Sequence, residues 1–453
     1  MRRTICLSAF IIFLAGHVFS QKPSNEEAFT VIKKAQPQGP SITPLLKKQT
    51  EEAWKQDDLR REVLKNIKNE KELAALQRET KLKLLNMIGG LPDEKTPLRP
   101  QITGSVQMNG YRIEKLVFES LPGFHVTALV YIPENGESKH PAVLVACGHS
   151  PIGKIYYQPL CQRLVQRGYL VICWDPVGQA ERSQFWNKAT GQSRYNLVCG
   201  EHAVLGNLAY LAGANLVRWQ IWDGIRALDY LLTRPDVDGN RISITGTSGG
   251  GVQAAHIAAL DDRIKVAIPS CYISSLPMRA YNRIFADPDS DPEQDLDGMI
   301  SEGVDHTGLL LLIYPRPVLI ASAVLDFFPI EGSRKTFREI SELYDRFQTK
   351  DNIAMVEGYH KHQFSIENQE AALNFLDRFN NMPVREGLPS VKEVDEKLLQ
   401  CTRTGQVLLD YPTGKNLMDV IKEDFIHHPK KETLSMSSRY YGKGYPNIKN
   451  WTV

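Results

Sequence analysis

Little in this chain would tie it to a disulfide scaffold, a nucleic acid or a membrane. Only seven of its 453 residues are cysteine, and no two stand in a C-x-x-C spacing. Thiols so widely spread in a long chain are not the staples that a small exported domain needs. Cys147 and Cys173 fall inside apolar, strand-like runs and read as buried free thiols, with Cys161, Cys199, Cys271 and Cys401 scattered between and beyond them. Positive charge is not concentrated either: 54 Lys and Arg face 52 Asp and Glu, a net charge of +2. Without a Lys/Arg block, no nucleic-acid partner is expected. Internal repeats and low-complexity tracts are absent. The apolar run over residues 5–15 is too short to span a bilayer comfortably. It follows Met1-Arg2-Arg3 and precedes Val18-Phe19-Ser20, the layout of a cleaved export signal. Cys6 lies too early to accept a lipid. The expectation is a signal peptide over residues 1–20 and a secreted or periplasmic product with no integral membrane segment after its removal. With 42% hydrophobic and 23% charged residues, the remainder can bury a large core.

What the chain does contain is Gly246-Thr247-Ser248-Gly249-Gly250, a G-x-S-x-G segment. The run Arg241-Ile242-Ser243-Ile244-Thr245 before it alternates and is β-rich, whereas residues 251–260 are small, Ala-rich and helical in period. Ser248 is therefore expected on a tight strand-to-helix turn, the nucleophile elbow. A side chain at position 246 or 250 would collide with neighbouring backbone in such a turn, which gives glycine at both ends a steric reason.

A serine hydroxyl is a weak nucleophile near neutral pH. It needs a base, and the base needs an acceptor on its second nitrogen to fix its tautomer. Behind elbows of this kind the acid and then the histidine follow in chain order. Residues 316–325 read as a buried parallel strand, and Asp326 stands at its carboxyl end before Phe327, Phe328 and Pro329. A further strand, residues 352–357, runs into Gly358-Tyr359-His360-Lys361-His362 ahead of an amphipathic helix over 366–379. Asp326 is the candidate acid, and either His360 or His362 is the base. The His-x-His pair has no cysteine or carboxylate cluster beside it in sequence, so no metal or organic cofactor is implied. For the oxyanion, the backbone N–H of Gly249 is one candidate donor. The other is expected from the loop Gly148-His149-Ser150-Pro151, which opens from the buried strand 141–147, with the main chain of His149 favoured.

Residues 117–379 resemble the acetyl-xylan-esterase-like branch of the α/β-hydrolases, which contains bacterial carbohydrate esterases. Several segments carry the likeness. Trp174-Asp175-Pro176-Val177-Gly178-Gln179-Ala180-Glu181-Arg182 is similar to the D-x-x-G-x-G-x-R turn after the fourth strand of such esterases, except that Ala180 replaces the second glycine, which suggests a different loop shape. Arg234-Pro235-Asp236-Val237-Asp238 leads into the elbow strand, and Ala259-Leu260-Asp261-Asp262-Arg263-Ile264 follows the elbow helix. Pro315-Arg316-Pro317 looks like the lead-in to the acid strand. His362-Gln363-Phe364-Ser365 resembles the histidine loop of these esterases and favours His362 over His360 as the base. The resemblance implies an α/β-hydrolase fold, class α/β, with a mostly parallel central sheet flanked by helices. It also implies a serine esterase acting on ester-decorated polysaccharide.

The chain then divides into the signal peptide 1–20, an N-terminal helical arm 21–100, a catalytic domain 101–385 and a C-terminal extension 386–453. Residues 101–133 alternate around Asn109-Gly110, a hairpin signal. Residues 202–234 are apolar at helical spacing, with Trp219 and Trp222 assigned to packing. Residues 404–409 look like a strand. Residues 274–306 form an insertion before the acid strand, carrying Arg279, Tyr281 and Arg283, that could wall the substrate site. Tyr272, Phe327, Phe328 and Trp186 could stack on sugar rings, and Arg182 and Arg218 could meet an anionic uronate. An acetyl ester is the leading substrate, a methyl ester of a uronic acid the second. A serine peptidase of the prolyl-oligopeptidase type and a non-catalytic carbohydrate-binding protein are the readings from other classes. The arm of about 80 residues is too short for a propeller.

Overall fold

The computed structural model describes residues 43–195, 199–282 and 291–427. Two compact units divide the chain, 1–47 and 48–453. Of the first, only the opening turn of the helix Thr43–Asn66 is described, and the second holds the sheet with its helices. The expected signal peptide with Cys6, and the chain beyond residue 427, lie outside the described residues.

Among the described residues, nine strands form one sheet. The first three are Gln101–Gln107 (β1), Tyr111–Leu121 (β2) and Phe124–Pro133 (β3). They pair antiparallel, as the Asn109-Gly110 turn requires, and β3 joins Leu170–Trp174 (β5) antiparallel as well. From β5 onward the sheet is parallel, through His140–Ala146 (β4), Val237–Thr247 (β8), Val266–Ser270 (β9), Val318–Ala323 (β10) and Ile353–Gly358 (β11). Two residues each at Trp186–Asn187 (β6) and Gln192–Ser193 (β7) form a separate small ribbon. Strands β4, β5 and β9 are buried at every position, which is why they read as unbroken apolar runs in the sequence.

The chain leaves β4 toward β5 on one side and later returns to place β8 on the other. The strand order therefore reverses between β4 and β8, where α/β folds open a crevice at the carboxyl ends of their strands. Register aligns those ends in a row: Ala146 lies opposite Gly246, Thr247 opposite Ser270, and Ala323 opposite Gly358. Every loop expected to carry chemistry leaves from this edge.

The helix Val217–Thr233 buries Trp219 and Trp222 in the core, as expected. Ahead of the sheet, the helical residues from 48 to 88 belong to the second unit: Gln77 Nε2 donates to Leu311 O and Tyr314 O, and Arg346 Nη1 to Leu64 O. Residues 404–409 are not a strand. Val407–Asp410 is a short helix, because the segment packs against β3 as an isolated strap and no sheet edge pairs with it. The six described cysteines are all free; Cys147 and Cys173 lie side by side with Sγ atoms 3.4 Å apart, far beyond the length of a disulfide.

In the turn after β5, Ala180 adopts φ of 47°, the left-handed region a glycine would occupy without strain. Two ionic contacts hold that turn. Lys154 Nζ, fully buried, lies 2.5 Å from Asp175 and 2.6 Å from Glu181, and Glu181 also accepts the backbone N–H groups of Cys401 and Thr402 from the C-terminal extension. Lys154→Ala would leave both carboxylates buried without their counter-charge, and is expected to cost about 3–5 kcal/mol in urea-unfolding free energy.

Candidate active site

The elbow forms as its sequence requires. Ser248 sits at φ 61°, ψ −123° between the end of β8 and the helix Gly249–Leu260, a strained conformation for a residue with a side chain. Its surroundings hold it there. Ser248 N–H donates to Ser270 O at 3.0 Å, fixing the turn to the neighbouring strand. A Cβ on Gly250 would overlap Ala146 O and lie 2.9 Å from Gly148 N; one on Gly246 would overlap Gly250 O and lie 2.6 Å from Ala146 O. Helix and strand approach this closely only because both positions lack a side chain.

Asp326 and His362 meet beyond the ends of β10 and β11. His362 Nδ1 lies 2.8 and 2.9 Å from the two oxygens of Asp326, whose side chain is 1% exposed. One of these oxygens also accepts Phe328 N–H at 3.1 Å, so the carboxylate caps its own loop as well as orienting the imidazole. The other ring nitrogen, Nε2, is buried and makes no hydrogen bond among the described residues, Ser248 Oγ included. In hydrolases the bond between base and nucleophile often tightens only once substrate is bound. His360 turns away: its Nε2 meets Glu367 at 2.9 Å on the exposed start of the helix Ile366–Phe379. The His-x-His pair is thus split between two carboxylates facing different ways. Cys271 Sγ lies beside Asp326 and His362, donates to Gln363 O at 3.2 Å, and has its pKa pushed up to about 12, chiefly by burial.

Residues 94–287 match the acetyl xylan esterase (AXE1) family. With that segment and the sheet described above, the chain has the α/β-hydrolase fold. The chain is also 24% identical to YtaP of Bacillus subtilis (strain 168) over 325 residues, which cover 67% of this chain and all of YtaP. Among solved structures it is similar to the methylesterase BT1017, with a TM-score of 0.63, 20% identity and coverage of 84% of this chain and 80% of that one. It is likewise similar to a glucuronoyl esterase from Solibacter usitatus, with a TM-score of 0.52, 16% identity and coverage of 66% and 91%. At these identities the structural likeness establishes the fold.

The loop after β4 is arranged differently from the simplest expectation. Gly148 N–H is taken by Tyr157 OH at 2.7 Å, and Ser150 closes a tight turn by accepting Gly153 N–H. Gly249, the first residue of its helix, has no intrahelical acceptor for its own N–H. The imidazole of His149 points into a cluster that sequence reasoning missed, formed with His202, Asp291 and Glu293. His149 Nε2 lies 2.5 Å from Asp291 Oδ2, 3.0 Å from His202 Nδ1 and 3.6 Å from Glu293 Oε1. The cluster abuts the elbow, since a Cβ on Gly249 would overlap Glu293 Oε1 and lie 3.1 Å from His149 Cε1. Burial disfavours charge on His149, but Glu293 and Asp291 outweigh it and hold the imidazole pKa well above its usual value. Burial and the neighbouring Asp291 push the Glu293 carboxyl up, while the two imidazoles, against burial, hold Asp291 far below the usual carboxylate range.

The sugar and uronate candidates fare unequally. Arg182 is fully buried, 2.6 Å from Asp223 and with its guanidinium 4.9 Å above the Phe124 ring, so it braces the turn after β5 and is closed to a ligand. Arg218 forks onto Asp424 of the helix Leu417–His427, pinning the C-terminal extension. Tyr272 is buried against His306, their rings 4.4 Å apart, and belongs to the core. Phe327 is the exception, 38% exposed with its ring 4.2 Å from the imidazole of His362. Trp186 is half-buried in its short ribbon. In the insertion, Arg279 stacks on Phe328 at 4.2 Å, while the side chain of Tyr281 and all of Arg283 lie outside the described residues. Arg182→Ala should accordingly act on folding: a loss of about 3–5 kcal/mol in denaturant unfolding, from an Asp223 left buried and unpaired, with KM of the residual folded enzyme unchanged.

Proposed function

We propose that this hydrolase removes acetyl groups from ester-decorated plant-type polysaccharide through an acyl-enzyme on Ser248. The observation that carries the reading is the contact of His362 Nδ1 with the buried Asp326, which leaves Nε2 without a partner at the edge where the strained Ser248 stands. Ser248 Oγ attacks the ester carbonyl while His362 Nε2 takes its proton, and Asp326 holds the imidazole in the tautomer that can accept it. The backbone N–H groups of Gly249 and His149 receive the developing oxyanion. The sugar hydroxyl departs with the proton from His362, and water attacks the acyl-serine by the same route in reverse, releasing acetate.

Acetate is preferred to the methyl ester of a uronic acid because both arginines that could have met a uronate are committed to Asp223 and Asp424. Phe327, half-exposed beside His362, supplies an aromatic wall for a sugar ring. Export, read from residues 1–20, would bring the enzyme to such a substrate; N-terminal sequencing of the secreted or periplasmic protein should begin at Gln21.

Assays on acetylated xylan and methyl-esterified pectin, scoring acetate and methanol separately, should yield acetate from the first and no methanol from the second. Methanol alone would overturn the acetyl assignment. Ser248→Ala should abolish turnover without loss of fold. His362→Ala should lower kcat by roughly four orders of magnitude, because triad members act as a unit, whereas His360→Ala should stay near wild type. The opposite ranking of the two histidines would move the base to His360.

A further inference from the structure

The ester chemistry uses none of the ligand-type atoms gathered on the other side of Gly249. We propose that His149, His202, Asp291 and Glu293 form a binding site for one divalent transition-metal ion of the zinc class. The four residues come from three parts of the chain: His149 from the loop after β4, His202 from the helix Gly200–Leu211, and Asp291 and Glu293 from the insertion that follows β9. One ligand-type atom of each lies within 4.8 Å of the others, and all four side chains are 9% exposed or less.

Hydrogen bonding orients these atoms as a metal site would need. His202 Nε2 lies 2.9 Å from Val177 O, to which only an N–H can donate, so its Nδ1 carries a lone pair toward the cluster. Gln220 Nε2 donates to Glu293 Oε2 at 2.5 Å, which leaves Oε1 facing inward. Among the described residues, both Glu293 Oε1 and Asp291 Oδ2 are buried without a hydrogen bond of acceptable geometry, the latter although His149 Nε2 approaches to 2.5 Å. The carboxylate loop is itself fixed, since Asn215 Nδ2 donates to Pro292 O at 2.8 Å and Tyr210 OH to the same oxygen at 3.2 Å.

Protons alone satisfy this arrangement poorly. A single N–H on His149 Nε2 can serve one of three acceptors, His202 Nδ1, Asp291 Oδ2 or Glu293 Oε1, and the other buried lone pairs then face one another. A second proton, on His202 Nδ1, would set two donors nose to nose at 3.0 Å. A single cation receives all four. Two imidazole nitrogens with two carboxylate oxygens suit zinc and its first-row neighbours, while calcium and magnesium favour oxygen-only sets. The proposal stands whether or not Ser248 is the nucleophile, because it is read from the metal.

Full-length protein stripped with dipicolinate and dialysed into metal-free buffer should, on addition of Zn2+ alone, retain about one zinc per chain through gel filtration, with an upward shift of its thermal unfolding midpoint. Asp291→Asn and His202→Ala should each lose that zinc. Crystals grown with zinc should show an anomalous peak among the four side chains, a readout that holds even where a variant fails to fold. Native wild-type protein that retains no zinc, variants that keep the full complement, or an anomalous map without a peak at this position would each overturn the site and leave a hydrogen-bonded His–His–carboxylate network in its place.

Discussion

The close approach of the elbow helix to β4 constrains everything at the catalytic edge. Ser248 can hold its positive φ because Gly246 and Gly250 let the first turn of the helix settle against the Ala146 carbonyl, and because Ser270 O accepts its N–H. Strain of this kind, of order 1–3 kcal/mol, persists only when the surroundings over-determine it. Here two parallel strand pairings, β4 with β8 and β8 with β9, fix the backbone on both sides of the serine. The same approach brings the loop after β4 across the nucleophile, so that the residues following Ala146 become part of the site.

Around this rigid centre the loops are held by buried ion pairs more than by regular structure. Lys154 ties the turn after β5 to the C-terminal extension through Glu181, and Arg182 ties it to the long helix through Asp223. Arg167 is bonded to Asp377 and to the carbonyls of Arg385 and Gly387, holding the start of the extension against the sheet. Such pairs contribute little net stability when intact, yet removing one partner is costly, which makes them devices for fixing where a loop lies. The described part of the extension and the helix Glu70–Ile88 are in this sense tied into the same compact unit as the sheet.

The insertion after β9 couples the two sides of the elbow. Its first helix carries Arg279 onto Phe328, beside the imidazole of His362, and its later residues deliver Asp291 and Glu293 against Gly249. One excursion of the chain therefore reaches both the aromatic ring beside His362 and the first residue of the elbow helix. His149 lies in the loop after β4 with its ring facing the carboxylates, so the electrostatics of that cluster are felt beside the first turn of the elbow helix.

Much of this was determined by the sequence itself. The G-x-S-x-G turn, the apolar strands β4, β5 and β9, the hairpin at Asn109-Gly110 and the placement of Asp326 and the histidines at strand ends all come from local rules, because glycine tolerance and side-chain period are properties of a few consecutive residues. Tertiary structure decided which groups face each other. His362 and His360 are two residues apart and equally polar, and only closure of the loop sets one on Asp326 and the other on Glu367. Arg182 and Arg218 look like ligand residues until Asp223 and Asp424 appear opposite them. Ala180 shows its left-handed turn only in the folded loop, and within the strand-like run 404–409 the residues from Val407 on become a short helix because no strand edge is offered to them. The His149–His202–Asp291–Glu293 cluster has no sequence signature at all, since its members lie on three separate segments and only burial and chain crossing bring them together. Conformational preference is encoded locally, but the choice of partner for a charge or a lone pair depends on which distant side chain the fold places within a few ångströms.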